Sequence, residues 1–140
     1  MRIVDANVLI YAVNSSSEFH DRARTWLDEA LGGVVAVGFD WSAINAFVRV
    51  ATLPRVMTRP IAVADALEVV DAWLSAPASV VVRPRDGHAL RMASLLQSAG
   101  AGGNLVNDAH LAALAQSYNG EVVSFDTDFA RFPSVRWTIP

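Results

Sequence analysis

The chain has 140 residues, of which 53% are hydrophobic and 18% charged, with a formal net charge of −3. That length and apolar share describe one domain with a real core and exclude intrinsic disorder. With no cysteine there is no disulfide framework, no thiolate metal site and no thiol nucleophile.

Taken in chain order, residues 2–5 read as a short buried strand, and Asn7 opens a helix to about Val13. Asn14 to Ser17 is a loop, and Phe19, Ala23, Trp26, Leu27, Ala30 and Leu31 recur at helical spacing between Glu18 and Leu31. Gly32-Gly33 ends that helix, and Val34 to Val37 is the second expected strand. Asp40 or Ser42 caps a helix running to about Leu53 before Pro54, and another helix spans 63–75. Ser79 to Val82 is the third strand and 86–98 is helical. Gly100 to Gly103 breaks the chain, and 104–118 is helical again up to the Asn119-Gly120 turn. Strands at 121–124 and 135–139 follow, the last at an edge. Strands alternating with helices predict an open, mostly parallel sheet covered on both faces.

Asp5 ends the first strand, Asp108 stands at the head of a helix, and Asp126 with Asp128 follows the Val122-Val123-Ser124-Phe125 strand. Positions just past the carboxyl ends of parallel strands gather at one rim, where ligands bind. Carboxylates brought together repel one another unless a hard cation or shared protons offset the charge. The pattern reads as a Mg²⁺ or Mn²⁺ site made of acids alone. Taken singly, each acid has a simpler account: Asp5 as a helix cap, Asp108 favouring a helix dipole, and Asp126-Thr127-Asp128 as a turn.

The other chemistry-bearing residues are weaker candidates. His20, His88 and His110 lack zinc-ligand spacing and read as structural or surface histidines. The Gly100 to Gly103 run has no following Lys-Ser or Lys-Thr, so it is a break and not a phosphate loop. Trp26, Trp41, Trp73 and Trp137 read as core or interface packing. Ser42 and Ser124 lack a nucleophile elbow, and Ser124 reads as a hydroxyl that bonds a neighbouring carboxylate. All eleven basic residues are arginines, a composition that suits phosphate contacts but arises equally from a GC-rich genome. Nothing reaches the length of an apolar membrane span, and the first residues do not resemble a signal peptide. A cytoplasmic location is expected.

The motifs together resemble the PIN domain, and within it the VapC toxins of bacterial toxin–antitoxin pairs. Val4-Asp5-Ala6-Asn7-Val8-Leu9-Ile10-Tyr11 resembles the family's opening motif, and Trp41 to Pro54 its central helix. Gly103 to Ala112 and Ser124 to Pro133 resemble its third and fourth acidic motifs. The resemblance spans residues 1–140 as a single PIN domain. It implies an α/β/α sandwich with a mostly parallel central sheet and a Mg²⁺-dependent endoribonuclease (Mn²⁺ an alternative) acting on tRNA or rRNA. It also implies a VapB-type antitoxin partner and a homodimer. Carried across, Asp5, Asp108 and Asp126 match the metal-binding acids and Asp128 a further acid of the last motif. Asn7 and Ser124 match supporting polar residues. Arg49 and Arg55 are candidates for RNA contact, with Arg59 and Arg83 to Arg85 beyond them.

One position departs from the family pattern: Ala46 stands where the family carries a glutamate just before the residue matching Phe47. The expectation is an engineered, disabling substitution and a chain of low activity. The alternative is a natural PIN-like protein that only binds RNA or an antitoxin. A haloacid-dehalogenase-type phosphatase also begins with a strand ending in Asp. It needs a second acid where this chain has Asn7, and a later lysine that this chain lacks.

Overall fold

A computed structural model describes residues 1–100 and 102–140. Five short strands build one sheet: β1 (Arg2–Val4), β2 (Val37–Phe39), β3 (Ser79–Val81), β4 (Glu121–Val123) and β5 (Trp137–Thr138). Their order is β3-β2-β1-β4-β5, and every neighbouring pair is parallel. Six α-helices provide the crossovers: α1 (Ala6–Val13), α2 (His20–Leu31), α3 (Trp41–Ala51), α4 (Val63–Leu74), α5 (His88–Ala99) and α6 (Val106–Ser117). The mostly parallel α/β expectation holds, as does the edge position of the last strand.

Successive strand side chains point to opposite faces, and the two faces build separate cores. Val4 and Val123 pack with Leu9, Leu27, Phe39 and Phe47 on the side of α1 to α4. Their strand neighbours Ile3 and Val122 pack with Leu114, Phe129 and Phe132 on the side of α5 and α6. Burial on both faces is what forces the strands of a parallel sheet to be apolar throughout. Among the described residues, no helix is long and apolar enough to cross a membrane.

The second strand lies later than its valine-rich signal suggests. Val34 is wholly exposed and Val35 is also at the surface, whereas Val37-Gly38-Phe39 pairs with β1 and β3. Gly38 explains the shift: a Cβ there would lie 2.6 Å from Ile3 Cδ1 and 3.0 Å from Val82 Cγ1. The residue with the poorest strand propensity is the one that lets a neighbouring core side chain fit.

Other boundaries move by one to three residues. α2 begins at His20 and α5 at His88, and a 3₁₀ turn at Gly103–Leu105 precedes α6. The expected break holds at Gly100, which takes φ 64° at the end of α5, while Ala101 lies outside the described residues. Asp126 to Asp128 is a turn as its composition suggests, but it continues as a 3₁₀ helix over Thr127–Arg131. Of the tryptophans, Trp73 packs on Phe47 at 4.9 Å between ring centroids. Trp41, by contrast, is half exposed and no core residue.

Candidate acidic centre

The rim beyond the strand ends carries an open cleft of about 750 Å³. Asp5 and Asn7 enter it from the β1–α1 junction, Asp126 and Asp128 from the segment after β4, Asn104 from the 3₁₀ turn before α6, and Asn107 with Asp108 from the start of α6. The facing wall is α3, through Ser42, Asn45, Ala46 and Arg49. Parallel strands all end at this rim, so acids more than a hundred residues apart in sequence meet without any special loop.

Ser124 and Asn7 organise the floor. Ser124 is fully buried; its hydroxyl donates to Asp5 Oδ2 at 2.6 Å and accepts from Asn7 Nδ2 at 2.8 Å. It also accepts from the Asp126 backbone N–H at 2.9 Å. The Asn7 amide donates to the same Asp5 oxygen at 2.8 Å, and its Oδ1 accepts from the Phe125 N–H at 3.1 Å. One buried hydroxyl and one amide thus fix Asp5, Asp126 and the chain between them. Asp5 occupies the N-cap position of α1 but makes no side-chain cap bond, so the simple capping account fails. Asp126 does cap, accepting from the Asp128 N–H at 2.8 Å.

Carboxylate oxygens of Asp108, Asp126 and Asp128 lie within 4.8 Å of one another. The cost of that proximity is visible in Asp108. Burial, and then the charges of Asp5, Asp126 and Asp128, push its carboxyl up from 3.8 to about 6. Burial also raises Asp5, with Asp126 adding to it, against the lowering effect of the Ser124 hydrogen bond. The donors are all hard oxygens, their charges repel, and the cluster opens to solvent. Such a set fits a divalent cation of the oxygen-preferring kind.

The remaining expected residues fall as follows. Arg49 lines the cleft, whereas Arg55 does not. Arg85 lies 3.8 Å over the Tyr118 ring and donates to the Ser117 carbonyl at the end of α6. Ala46 faces the acids from α3. Asp40 is turned away from the cleft, capping α3 through the Ser42 N–H at 2.8 Å and accepting from His110 Nε2 at 3.1 Å. His110 Nδ1 in turn meets His88 Nε2 at 2.8 Å. The sequence reading missed this chain of Asp40, His110 and His88, and also the cleft positions Asn104 and Asn107. Asn107, Asp108 and Leu111 follow helical spacing, a signal that marks one face of α6.

An α/β domain that gathers acids at the carboxyl rim of a parallel sheet is a class in which comparison with known proteins is informative. The PIN domain profile matches residues 2–135. The chain is 51% identical to Ribonuclease VapC37 of Mycobacterium tuberculosis, over all of this chain and 97% of that protein. It is 37% identical to Ribonuclease VapC33 of the same species, over all of this chain and 98% of that one. The fold matches that of VapBC2 from Rickettsia felis bound to a promoter DNA fragment, with TM-score 0.71 at 17% identity, over 99% of this chain and 97% of that one. The chain belongs to the PIN-domain family and, within it, to the VapC ribonucleases.

Proposed function

We propose that this chain is the toxin of a type II toxin–antitoxin pair: a cytoplasmic, single-domain endoribonuclease that cleaves tRNA or rRNA with Mg²⁺, or Mn²⁺ in its place. The observation that carries this reading is the convergence of Asp108, Asp126 and Asp128 beside a hydrogen-bonded Asp5 in one open cleft. Asp5, Asp108 and Asp126 are the residues assigned to hold the metal, with Asp128 beside them. A bound divalent cation supplies charge relief at a phosphate and a more acidic water.

The chain's own residues do the rest. Asn7 and Ser124 keep Asp5 and Asp126 aimed into the cleft, so the acids need no rearrangement when substrate arrives. The Asp108 carboxyl, raised to about 6 by burial and its acidic neighbours, carries the charge that a divalent cation would offset. Arg49, exposed on the facing wall, bears no salt bridge to any described carboxylate and is placed to meet a backbone phosphate. Arg55 acts farther out. A VapB-type antitoxin silences the site by laying an arginine among the acids, a match of charge that the cleft favours. The working form is a homodimer.

Ala46 is the weak point of the catalytic constellation, because α3 brings no carboxylate into the cleft. It also supports the second reading, a PIN protein that binds RNA or antitoxin without cutting. The test is an assay of the chain and its Ala46→Glu variant on total RNA, with Mg²⁺ and with a chelator. A gain of ~10²–10⁴-fold in metal-dependent cleavage by the glutamate form supports the nuclease. Equal activity of the two refutes the disabling role of Ala46. Silence of both favours the binding protein.

A further inference from the structure

Beside the acidic cleft lies a second, smaller cavity of about 380 Å³, lined by Asn7, Tyr11, Phe19, Phe125, Asp126 and Thr127. It shares Asn7 and Asp126 with the acidic cleft, so the two cavities adjoin. Polar atoms make up most of its exposed lining, and three aromatic side chains stand at one wall. The rings of Phe19 and Phe125 lie 4.8 Å apart at 35°, and each is 5.3 Å from Tyr11. Tyr11 and Phe125 pack against the core on the α1 to α4 side, and all three side chains keep part of their surface exposed. Tyr11 and Thr127 bring hydroxyls to the same space, and the Arg22 guanidinium stands 5.5 Å from the Phe125 ring centroid.

We propose that this cavity is a nucleobase subsite, which takes the unstacked base of a nucleotide next to the scissile phosphate. The inference rests on the ribonuclease reading and adds where the substrate is recognised. Single-stranded RNA is gripped by splaying bases onto aromatic side chains, and every base has a π-face, so such a pocket contributes affinity at one position. Hydrogen-bonding groups at its rim then discriminate among bases by their edges.

The chemistry also predicts which end of the function fails on mutation. The acids act on phosphate and the aromatic wall on a base, so losing the wall weakens RNA binding without removing the cation site. The Phe125 backbone N–H donates to Asn7 Oδ1, a bond that a change of its side chain leaves in place.

The experiment is an abasic scan. Binding of the full chain to a short single-stranded RNA is measured by fluorescence anisotropy in Mg²⁺. The same RNA is then tested with each position in turn lacking its base. One position losing about 10–100-fold in affinity, with that loss abolished in Phe125→Leu, supports the subsite. Thr127→Val, at the exposed rim, serves as the second variant should Phe125→Leu not fold, and it too must blunt the loss at that position. A flat scan, or a loss of the same size in the variants, overturns the subsite and leaves the ribonuclease reading standing. Failure of the intact RNA to bind in Mg²⁺ overturns both.

Discussion

Asp108→Asn should make the metal-free protein more stable, although it removes a residue from the centre of the site. The carboxyl is raised from 3.8 to about 6 by burial and by three neighbouring acids. A raised acid is a native-state penalty that depends on pH. Well below 3.8 the group is protonated in both folded and unfolded chains, and nothing is lost. The penalty grows as pH rises from there through about 6, and is complete above it. Two pKa units correspond to ~3 kcal/mol, and solvent access to a part-exposed group reduces this to ~1–2 kcal/mol.

Asparagine keeps the shape and carries no charge, so Asp108→Asn should raise Tm by roughly 3–10 °C at pH 7.5 in a chelator. The two proteins should converge as pH falls below the ordinary value of 3.8. Added Mg²⁺ should then stabilise the parent and not the variant, by ~2.7 kcal/mol at a hundredfold excess over Kd. Scanning calorimetry over pH, with and without metal, reads both effects. A variant that melts below the parent in chelator at neutral pH, or that gains as much from Mg²⁺, refutes the reasoning.

Two further perturbations test the supporting structure. Ser124→Ala removes a fully buried hydroxyl that serves Asp5, Asn7 and the Asp126 N–H, and should cost ~1–3 kcal/mol in urea unfolding; an unchanged midpoint would mean the network is loose. Asp40→Ala loses both the α3 cap and the bond to His110, a cost of ~1–3 kcal/mol at neutral pH. Burial alone would raise the Asp40 carboxyl, but its hydrogen bonds to His110 and Ser42 outweigh this and hold it below the ordinary range. Its contribution is therefore present above the ordinary aspartate value and lost as pH falls through the lowered one. The stability gap to Asp40→Asn should narrow at acid pH, and a gap that widens there would contradict the assignment.

Acids at strand ends were legible in the sequence because parallel topology converts a local pattern into a spatial one. Asp5, Asp108 and Asp126 each follow or precede an element whose apolar signal is plain, and all three reach the cleft. Which oxygens converge was not legible. Asp5 is held by Asn7 and Ser124, while Asp128 joins the tight group, and that depends on a 3₁₀ turn no periodicity announces. The second strand was misplaced because Val34-Val35 look like a strand, yet the sheet needs a glycine opposite Ile3. The histidines read as structural or surface residues, and two of them are coupled. Bonds spanning 22 and 70 residues of sequence leave no local mark.

The two walls of the cleft carry different chemistry, and this separates binding from cleavage. All four acids come from the β1, β4 and α6 side, while α3 offers Ser42, Asn45, Ala46 and Arg49. The α3 side is neutral to positive, so a cation held by the acids would have carboxylates to one side of it only. Phosphate attraction would survive on such a wall, because it would need only the Arg49 charge and a cation at the acids. A water held opposite the acids has no α3 carboxylate to orient it, and positioning is the part of catalysis most sensitive to a missing group. RNA affinity and cleavage should therefore respond separately to changes at 46 and 49. Glutamate at 46 should act on the rate, and loss of the Arg49 charge on affinity and its salt dependence.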